Sequence, residues 1–175
     1  MDTYERYEAA RNLARVILIS NELVNFPLDV FTLAKTYGVN LYSYKQAAAF
    51  MAAAGLDTKK SDAQAFCLKD KRIILYDELQ QLDRLRFGIV HEFSHIRLGH
   101  ISGSDARHQI LNYDAFSEKE ADILTSRLLM PAIVCKEERL SQIQNFFGVS
   151  SSAAYCRSKC ITKLLQRNKW LNFRL

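Results

Sequence analysis

The sequence contains no apolar stretch long enough to cross a membrane. The longest, from Ala47 to Leu56, consists mostly of alanine, whereas a membrane-spanning helix needs about 20 apolar residues. The N-terminal residues mix acids with bases and have no apolar segment before a small-residue cleavage site, so they do not resemble a secretion signal. We therefore expect a cytoplasmic protein.

Cysteine, proline and glycine are scarce, with four, two and six residues among 175. Without a secretion signal, we expect the cysteines to remain reduced thiols, because the cytosol does not sustain structural disulfides. No linker rich in glycine, serine or proline divides the chain, and its length fits one domain. We expect a single domain over residues 1–175, with a core over 1–133 and a basic helical C-terminal segment over 134–175.

Acidic residues are absent after Glu138, whereas seven basic residues follow it. These are Arg139, Arg157, Lys159, Lys163, Arg167, Lys169 and Arg174. The simpler interpretation is the solvated face of a helix. The alternative is a surface for nucleic acid or for an acidic protein partner, which would make the chain a DNA-binding or anti-repressor module.

The spacing of hydrophobic residues predicts an α+β fold that is mainly helical. Residues 3–24 are expected to form a first helix, and Pro27 and Gly38 mark the start and the end of a short second helix. The sequence "VNLYSY" predicts a strand, and "AFCL" and "RIILY" predict a hairpin around residues 69–71. Apolar residues three and four positions apart then predict a helix over 80–98, after the sheet, and further helices follow it.

The segment "FGIVHEFSHIRLGH" places three of the four histidines around a single glutamate. His91 and His95 are four residues apart, so on a helix their imidazoles share a face and can reach one metal ion. Glu92 points in a different direction, from which its carboxylate can take a proton from a water on the metal. Zinc activates such a water and polarises the scissile carbonyl. The pattern therefore predicts a zinc peptidase with Glu92 as its base.

A catalytic zinc site needs a third protein ligand. His100 is the nearest candidate, but its distance from His95 does not fit the HExxHxxGxxH pattern, so we favour a supporting or surface position for it. The downstream sequence "FSEKEAD" offers Glu118 and Glu120. Glu120 has a competing explanation, because Ser117 and Glu120 match a helix capping box. Glu118 is therefore the preferred third ligand, and Glu120 remains the alternative.

Asp122 lies one helical turn after Glu118 and shares its face of the predicted helix. One of these carboxylates can bind the metal while the other accepts the free N–H of a ligating histidine and fixes its tautomer. We assign this supporting contact to Asp122. By chemistry alone, Tyr113, His100 and His108 are candidates for the group that stabilises the oxyanion.

The order of these motifs is similar to that of a known family. "HEFSHIRLGH", followed further along the chain by "EKEADILTSRLLMP", resembles the ImmA/IrrE family of metallo-endopeptidases. Members of that family typically have HELGH, a downstream histidine and an E-x-E-A-N/D helix. The specific part of the resemblance spans residues 91–131. Ser94 stands where the family usually has glycine, and Asp122 where it more often has asparagine; neither removes a predicted ligand.

The resemblance implies a zincin-like fold and a zinc ion held by His91, His95 and a glutamate of the "EKEAD" helix, with Glu92 as catalytic base. It also implies a substrate class, because family members cut helix-turn-helix repressors of mobile elements, such as phage-like ones, or of stress regulons. We therefore expect a zinc-dependent endopeptidase that cleaves a repressor. The alternatives are a DNA-binding or anti-repressor module with a structural or vestigial metal site, and a partner that acts by stoichiometric binding.

Overall fold

A computed structural model shows an α+β fold, as the sequence predicts. It describes residues 2–22, 25–53, 61–68, 70–101, 114–135 and 140–172. The helices within these ranges are α1 (Thr3–Ser20), α2 (Val30–Thr36), α3 (Tyr44–Ala53), α4 (Leu82–Arg97), α5 (Ala115–Leu129), α6 (Ala132–Cys135), α7 (Leu140–Phe147) and α8 (Ser151–Asn172). The strands are β1 (Val39–Ser43), β2 (Ala63–Leu68) and β3 (Lys71–Tyr76).

Each predicted helix and strand is present, and two helices are additional. The first helix ends at Ser20, earlier than the predicted residue 24, and residues 23 and 24 lie outside the described part of the chain. Residues 47–53 of the alanine-rich run lie within α3, and the rest of the run is outside the described residues. Alanine has a high helix propensity, which the periodicity argument did not use. The short α6 follows Pro131, which ends the preceding helical run. Gly38 and Gly99 come just after α2 and α4 with positive φ, the conformation that glycine adopts most readily at a helix end.

The sheet has the order β1-β3-β2, and side chains from both of its faces belong to buried clusters. Central β3 pairs in parallel with β1 and antiparallel with β2, which confirms the predicted hairpin. Because side chains alternate along a strand, Ala65 and Ile74 join the main core, whereas Phe66 and Leu75 pack with α3 on the opposite face. The main core also contains the buried face of α4, so the sheet supports this helix.

Helix α4 packs closely against both β2 and α5. A Cβ atom added at Gly88 would lie 3.3 Å from Cβ of Ala63, so glycine permits the helix to approach the strand. On the other side, Ser94 is buried and its hydroxyl lies 3.0 Å from that of Thr125 on α5. The C-terminal half of α4 is thus held between the sheet and α5.

Helix α5 begins earlier than the capping-box pattern predicts. Asp114 is its N-cap, and the carboxylate of Asp114 accepts a hydrogen bond of 2.6 Å from the backbone N–H of Ser117. The predicted capping box of Ser117 and Glu120 is therefore wrong. A better N-cap precedes it by three residues, which places Glu120 in the second turn of the helix.

The C-terminal helices pack onto the same core as α4. Ile143, Phe147 and Ala154 are buried in that cluster. Arg157, one of the seven basic residues after Glu138, is also buried, and its Nε donates to the carbonyl of Met130 over 2.8 Å. Lys159 and Lys163 are exposed, whereas the side chains of the other four lie outside the described part of the chain. Among the described helices, none has the length and apolarity that a membrane span requires.

Candidate metal centre

Three side chains that the sequence selects as metal ligands lie together in the structure. His91 and His95 come from α4 and Glu118 comes from the first turns of α5, and one ligand atom from each lies within 4.8 Å of the others. Among the described residues, these three side chains form the group of histidine, cysteine and carboxylate residues that could hold a metal ion. The crossing of α4 over α5 therefore creates the cluster.

The separations of these atoms fit a tetrahedral ion. Nε2 of His91 lies 3.2 Å from Nε2 of His95 and 3.2 Å from Oε2 of Glu118. Nε2 of His95 lies 3.6 Å from Oε1 of Glu118. Ligands bound to zinc at about 2.0–2.2 Å in a tetrahedron are roughly 3.3–3.6 Å apart. The nitrogen and oxygen donors are of the kind that zinc binds, and their separations are close to the tetrahedral values, although Glu118 approaches His91 and His95 through different oxygens.

The cluster is closed on the His95 side and open on the Glu118 side. His95 is fully buried, while the side chain of Glu118 is 46% exposed. Burial, with the neighbouring imidazoles of His91 and His100, lowers the pKa of His95 to about 3. His95 is therefore neutral near pH 7, which is the form that ligates a metal. The exposed side is where a substrate can approach.

The second ring nitrogen of His91 faces Asp122. Nδ1 of His91 lies 3.6 Å from Oδ1 of Asp122, too far for a direct hydrogen bond, and it has no hydrogen-bond partner within the described residues. The ring of His91 also stacks on Phe87, with 6.1 Å between centroids. Asp122 thus lies where the sequence places a supporting carboxylate, although at a longer distance than a formed hydrogen bond.

The second ring nitrogen of His95 faces His100. The two Nδ1 atoms are 2.9 Å apart, and Nε2 of His100 lies 3.2 Å from Oε2 of Glu120. His100 therefore contacts the ring nitrogen of His95 that faces away from Glu118. Glu120 in turn forms a two-pronged ion pair with Arg6 of α1. Glu120, the alternative third ligand, lies in this second group and not with the three clustered side chains.

Glu92 is on α4, and its side chain faces strand β2 of the sheet. One of its carboxylate oxygens, Oε2, accepts a 2.8 Å hydrogen bond from the backbone N–H of Ala65 on β2. Burial raises the pKa of the Glu92 carboxyl to about 7, against the lowering effect of that N–H. Strand β2 therefore fixes the orientation of the carboxylate next to the first histidine.

Sequence reasoning missed two contacts of the site. Ala65 belongs to a predicted strand, but the bond of its N–H to Glu92 depends on how the strand packs on α4. Arg6 is 114 residues from Glu120, and no local pattern connects the two. Two of the candidate oxyanion-stabilising residues, Tyr113 and His108, lie outside the described residues.

A helix that carries HEFSH, supported by a small sheet and faced by a carboxylate from the next helix, has the architecture of a zincin-like metallopeptidase. A comparison with family models agrees: residues 46–159 match the Peptidase_M78 model, which is described as an IrrE N-terminal-like domain. The chain belongs to this family, and the resemblance to ImmA/IrrE proteins is confirmed. No curated protein matches the sequence. The family is one of metallopeptidases, so a protein substrate is implied.

Proposed function

We propose that this protein is a zinc-dependent endopeptidase of the HExxH type, with His91, His95 and Glu118 as metal ligands. The observation that carries the proposal is the convergence of two imidazole nitrogens and one carboxylate within 4.8 Å, in a chain of a metallopeptidase family. Three protein ligands leave the fourth position of a tetrahedral ion open, which is the arrangement of a catalytic site. Asp122 supports His91 in this scheme.

Glu92 is the proposed catalytic base. His91, His95 and Glu118 would hold a zinc ion, which would lower the pKa of a water to about 7 and polarise the scissile carbonyl. Glu92 takes a proton from the attacking water and then delivers it to the leaving amine. The N–H of Ala65 anchors Oε2 of this carboxylate, so we assign the proton transfer to Oε1. Strand β2 thereby keeps the base in one orientation.

The proposed substrate is a helix-turn-helix repressor of a mobile element, such as a phage-like one, or of a stress regulon. Membership of the IrrE-like family supports this class. Cleavage of a repressor would take place in the cytoplasm and would release the genes that the repressor controls. The C-terminal helices share their core with α4, which supports treating the whole chain as one protease unit. The exposed lysines of α8 are available to contact the substrate.

The test is cleavage of the repressor encoded beside this gene. Purified protein with zinc should produce one discrete cut at sub-stoichiometric enzyme, and Glu92→Gln should reduce the rate by about 10²- to 10⁴-fold, the usual contribution of a general base. Glu78→Gln is the matched control, since Glu78 is exposed in the turn before α4.

Cleavage that Glu92→Gln leaves undiminished would reject the proposed mechanism. Repressor release by Glu92→Gln without any cleavage would instead favour a binding module. If DNA binding by the basic segment is the function, the affinity for duplex DNA should fall steeply with salt and should not depend on Glu92.

A further inference from the structure

We propose that Arg6, Glu120 and His100 are positioning residues that hold His95 in the orientation and tautomer needed to bind the metal. This inference rests on the proposed metal centre. It adds three side chains that are not among the proposed ligands, from α1, from α5 and from the segment just after α4.

The contacts form one continuous chain. Nδ1 of His95 lies 2.9 Å from Nδ1 of His100, and Nε2 of His100 lies 3.2 Å from Oε2 of Glu120. The guanidinium of Arg6 then donates to both oxygens of Glu120, from Nε over 3.0 Å and from Nη2 over 2.5 Å. The first three distances are within hydrogen-bonding range, and the last, from Nη2 of Arg6, is shorter than a usual hydrogen bond.

The donor and the acceptor of each hydrogen bond follow from metal binding by His95. A ligating His95 uses an unprotonated Nε2, so its one ring proton is on Nδ1 and is donated to His100. Nδ1 of His100 must then be an acceptor, which places the proton of His100 on Nε2. That proton points at the carboxylate of Glu120, an acceptor with no proton of its own. The opposite direction would place a proton on Nε2 of His95 and block the metal.

Burial explains why Arg6 belongs to this series of hydrogen bonds. The side chains of His95, His100 and Glu120 are almost completely buried, and a buried carboxylate is costly unless a cation and hydrogen bonds compensate it. Arg6 provides both, through the two-pronged geometry that guanidinium and carboxylate prefer.

Arg6 lies outside residues 46–159, the part of the chain that the family model matches. Helix α1 therefore contributes to the site of this protein from outside the matched domain.

The two ligating histidines also differ in their supporting contacts. The contact of His91, to Asp122, is 3.6 Å long and partly exposed.

The experiment compares zinc affinity in the full chain carrying Arg6→Gln or Glu120→Gln. Affinity is measured by competition with a chromophoric chelator. Each variant should bind zinc about 10- to 100-fold more weakly, as is typical when the partner of a ligating histidine is disturbed. The matched control is Arg11→Gln: Arg11 lies on the same helix, its side chain is 29% exposed against 30% for Arg6, and its ion pair with Glu8 stays within α1.

A spectroscopic readout separates positioning from plain structural support. In the zinc-loaded protein, nitrogen NMR shifts should show His100 as the tautomer protonated at Nε2, and both Arg6→Gln and Glu120→Gln should change that signature. Arg6→Gln should also add little to Glu120→Gln, because residues of one network are not additive. If the replacement of buried Glu120 prevents folding, Arg6→Gln decides, because the Arg6 side chain is 30% exposed.

Two results overturn the inference: wild-type zinc affinity in folded Arg6→Gln, or a zinc-loaded protein in which His100 carries its proton on Nδ1. Different results would reject the proposed function. Weak or absent zinc binding by the wild-type protein would reject the metal centre itself, whereas zinc binding without peptide cleavage would reject the endopeptidase and leave the positioning chain in place.

Discussion

Nε2 of His91 lies 3.2 Å from Oε2 of Glu118, although 27 residues separate the two in the sequence. The contact depends on the packing of α4 against α5, since each side chain comes from a different helix. It also distinguishes the two glutamates of "SEKEAD": Glu118 faces the pair of histidines, and Glu120 faces His100 and Arg6. A variant of each glutamate should therefore have a different effect on metal binding.

Glu118→Gln should weaken zinc binding more than Glu120→Gln does. The amide replaces the anionic ligand by a neutral group, whereas the loss of a residue that only supports a ligand lowers the zinc affinity by about 10- to 100-fold. Zinc content after dialysis and competition titration measure the difference, with Glu78→Gln as a control of the same chemistry on the surface. Zinc affinity that is lower in Glu120→Gln than in Glu118→Gln would contradict this assignment of the third ligand.

Asp122→Asn should lower the zinc affinity by about tenfold, at the small end of the range for supporting residues. Its carboxylate is 3.6 Å from Nδ1 of His91 and partly exposed, so solvent can replace part of the contact. The matched comparison is Asp83→Asn, in the first turn of α4 and away from the cluster. Equal affinities for both variants would show that His91 is oriented without Asp122, for example by its stacking on Phe87.

Much of this site follows from local geometry, and the rest does not. The four-residue spacing of His91 and His95 fixes a common helix face, so the sequence alone brings these imidazoles together. The choice between Glu118 and Glu120 depends on where α5 begins, and the capping-box pattern does not identify its N-cap, Asp114. The hairpin was predictable from two β-prone runs and a polar turn.

The partner of Glu120 cannot be predicted from the sequence, for a different reason. Arg6 lies on the first helix, and the ion pair exists only because α1 packs against α5. No feature of the sequence shows whether an arginine on an amphipathic helix pairs with a buried residue or faces solvent. Contacts of this kind require the tertiary structure, whereas contacts within one helix do not.

Ser94→Ala should destabilise the fold by about 1 kcal/mol, the usual net contribution of a hydrogen bond. The hydroxyl of Ser94 lies 2.8 Å from the carbonyl of Val90 and 3.0 Å from the hydroxyl of Thr125. The loss leaves the buried Thr125 hydroxyl with one partner fewer. The free energy of unfolding from urea titration measures the effect.

The matched control for Ser94→Ala is a double-mutant cycle. It compares Ser94→Ala, Thr125→Val and the double variant that carries both substitutions. Replacing both hydroxyls by apolar groups leaves neither unpaired, so the double variant should be less destabilised than the sum of the single variants. Strict additivity would contradict a direct bond between these side chains. Zinc affinity should be unchanged in all three, because neither residue belongs to the proposed metal centre.

Leu128→Ala should destabilise the fold by about 2–5 kcal/mol, because the truncation leaves a cavity in a core that cannot collapse fully. Leu128 is completely buried on α5, in the cluster that also contains Ile89 and Phe93 of α4. Leu82→Ala is the control, since Leu82 is 67% exposed at the start of α4 and should cost less than about 0.5 kcal/mol.

Urea unfolding of the metal-free protein gives both values, and a loss below about 1 kcal/mol for Leu128→Ala would contradict this packing. Leu128 is about ten residues from Glu118 on the same helix, roughly 15 Å along its axis, so the variant tests the scaffold apart from the ligands. The fraction that remains folded should therefore bind zinc with wild-type affinity. A large drop in the zinc affinity of folded Leu128→Ala would mean that the core around Leu128 also sets the position of Glu118 relative to His91 and His95.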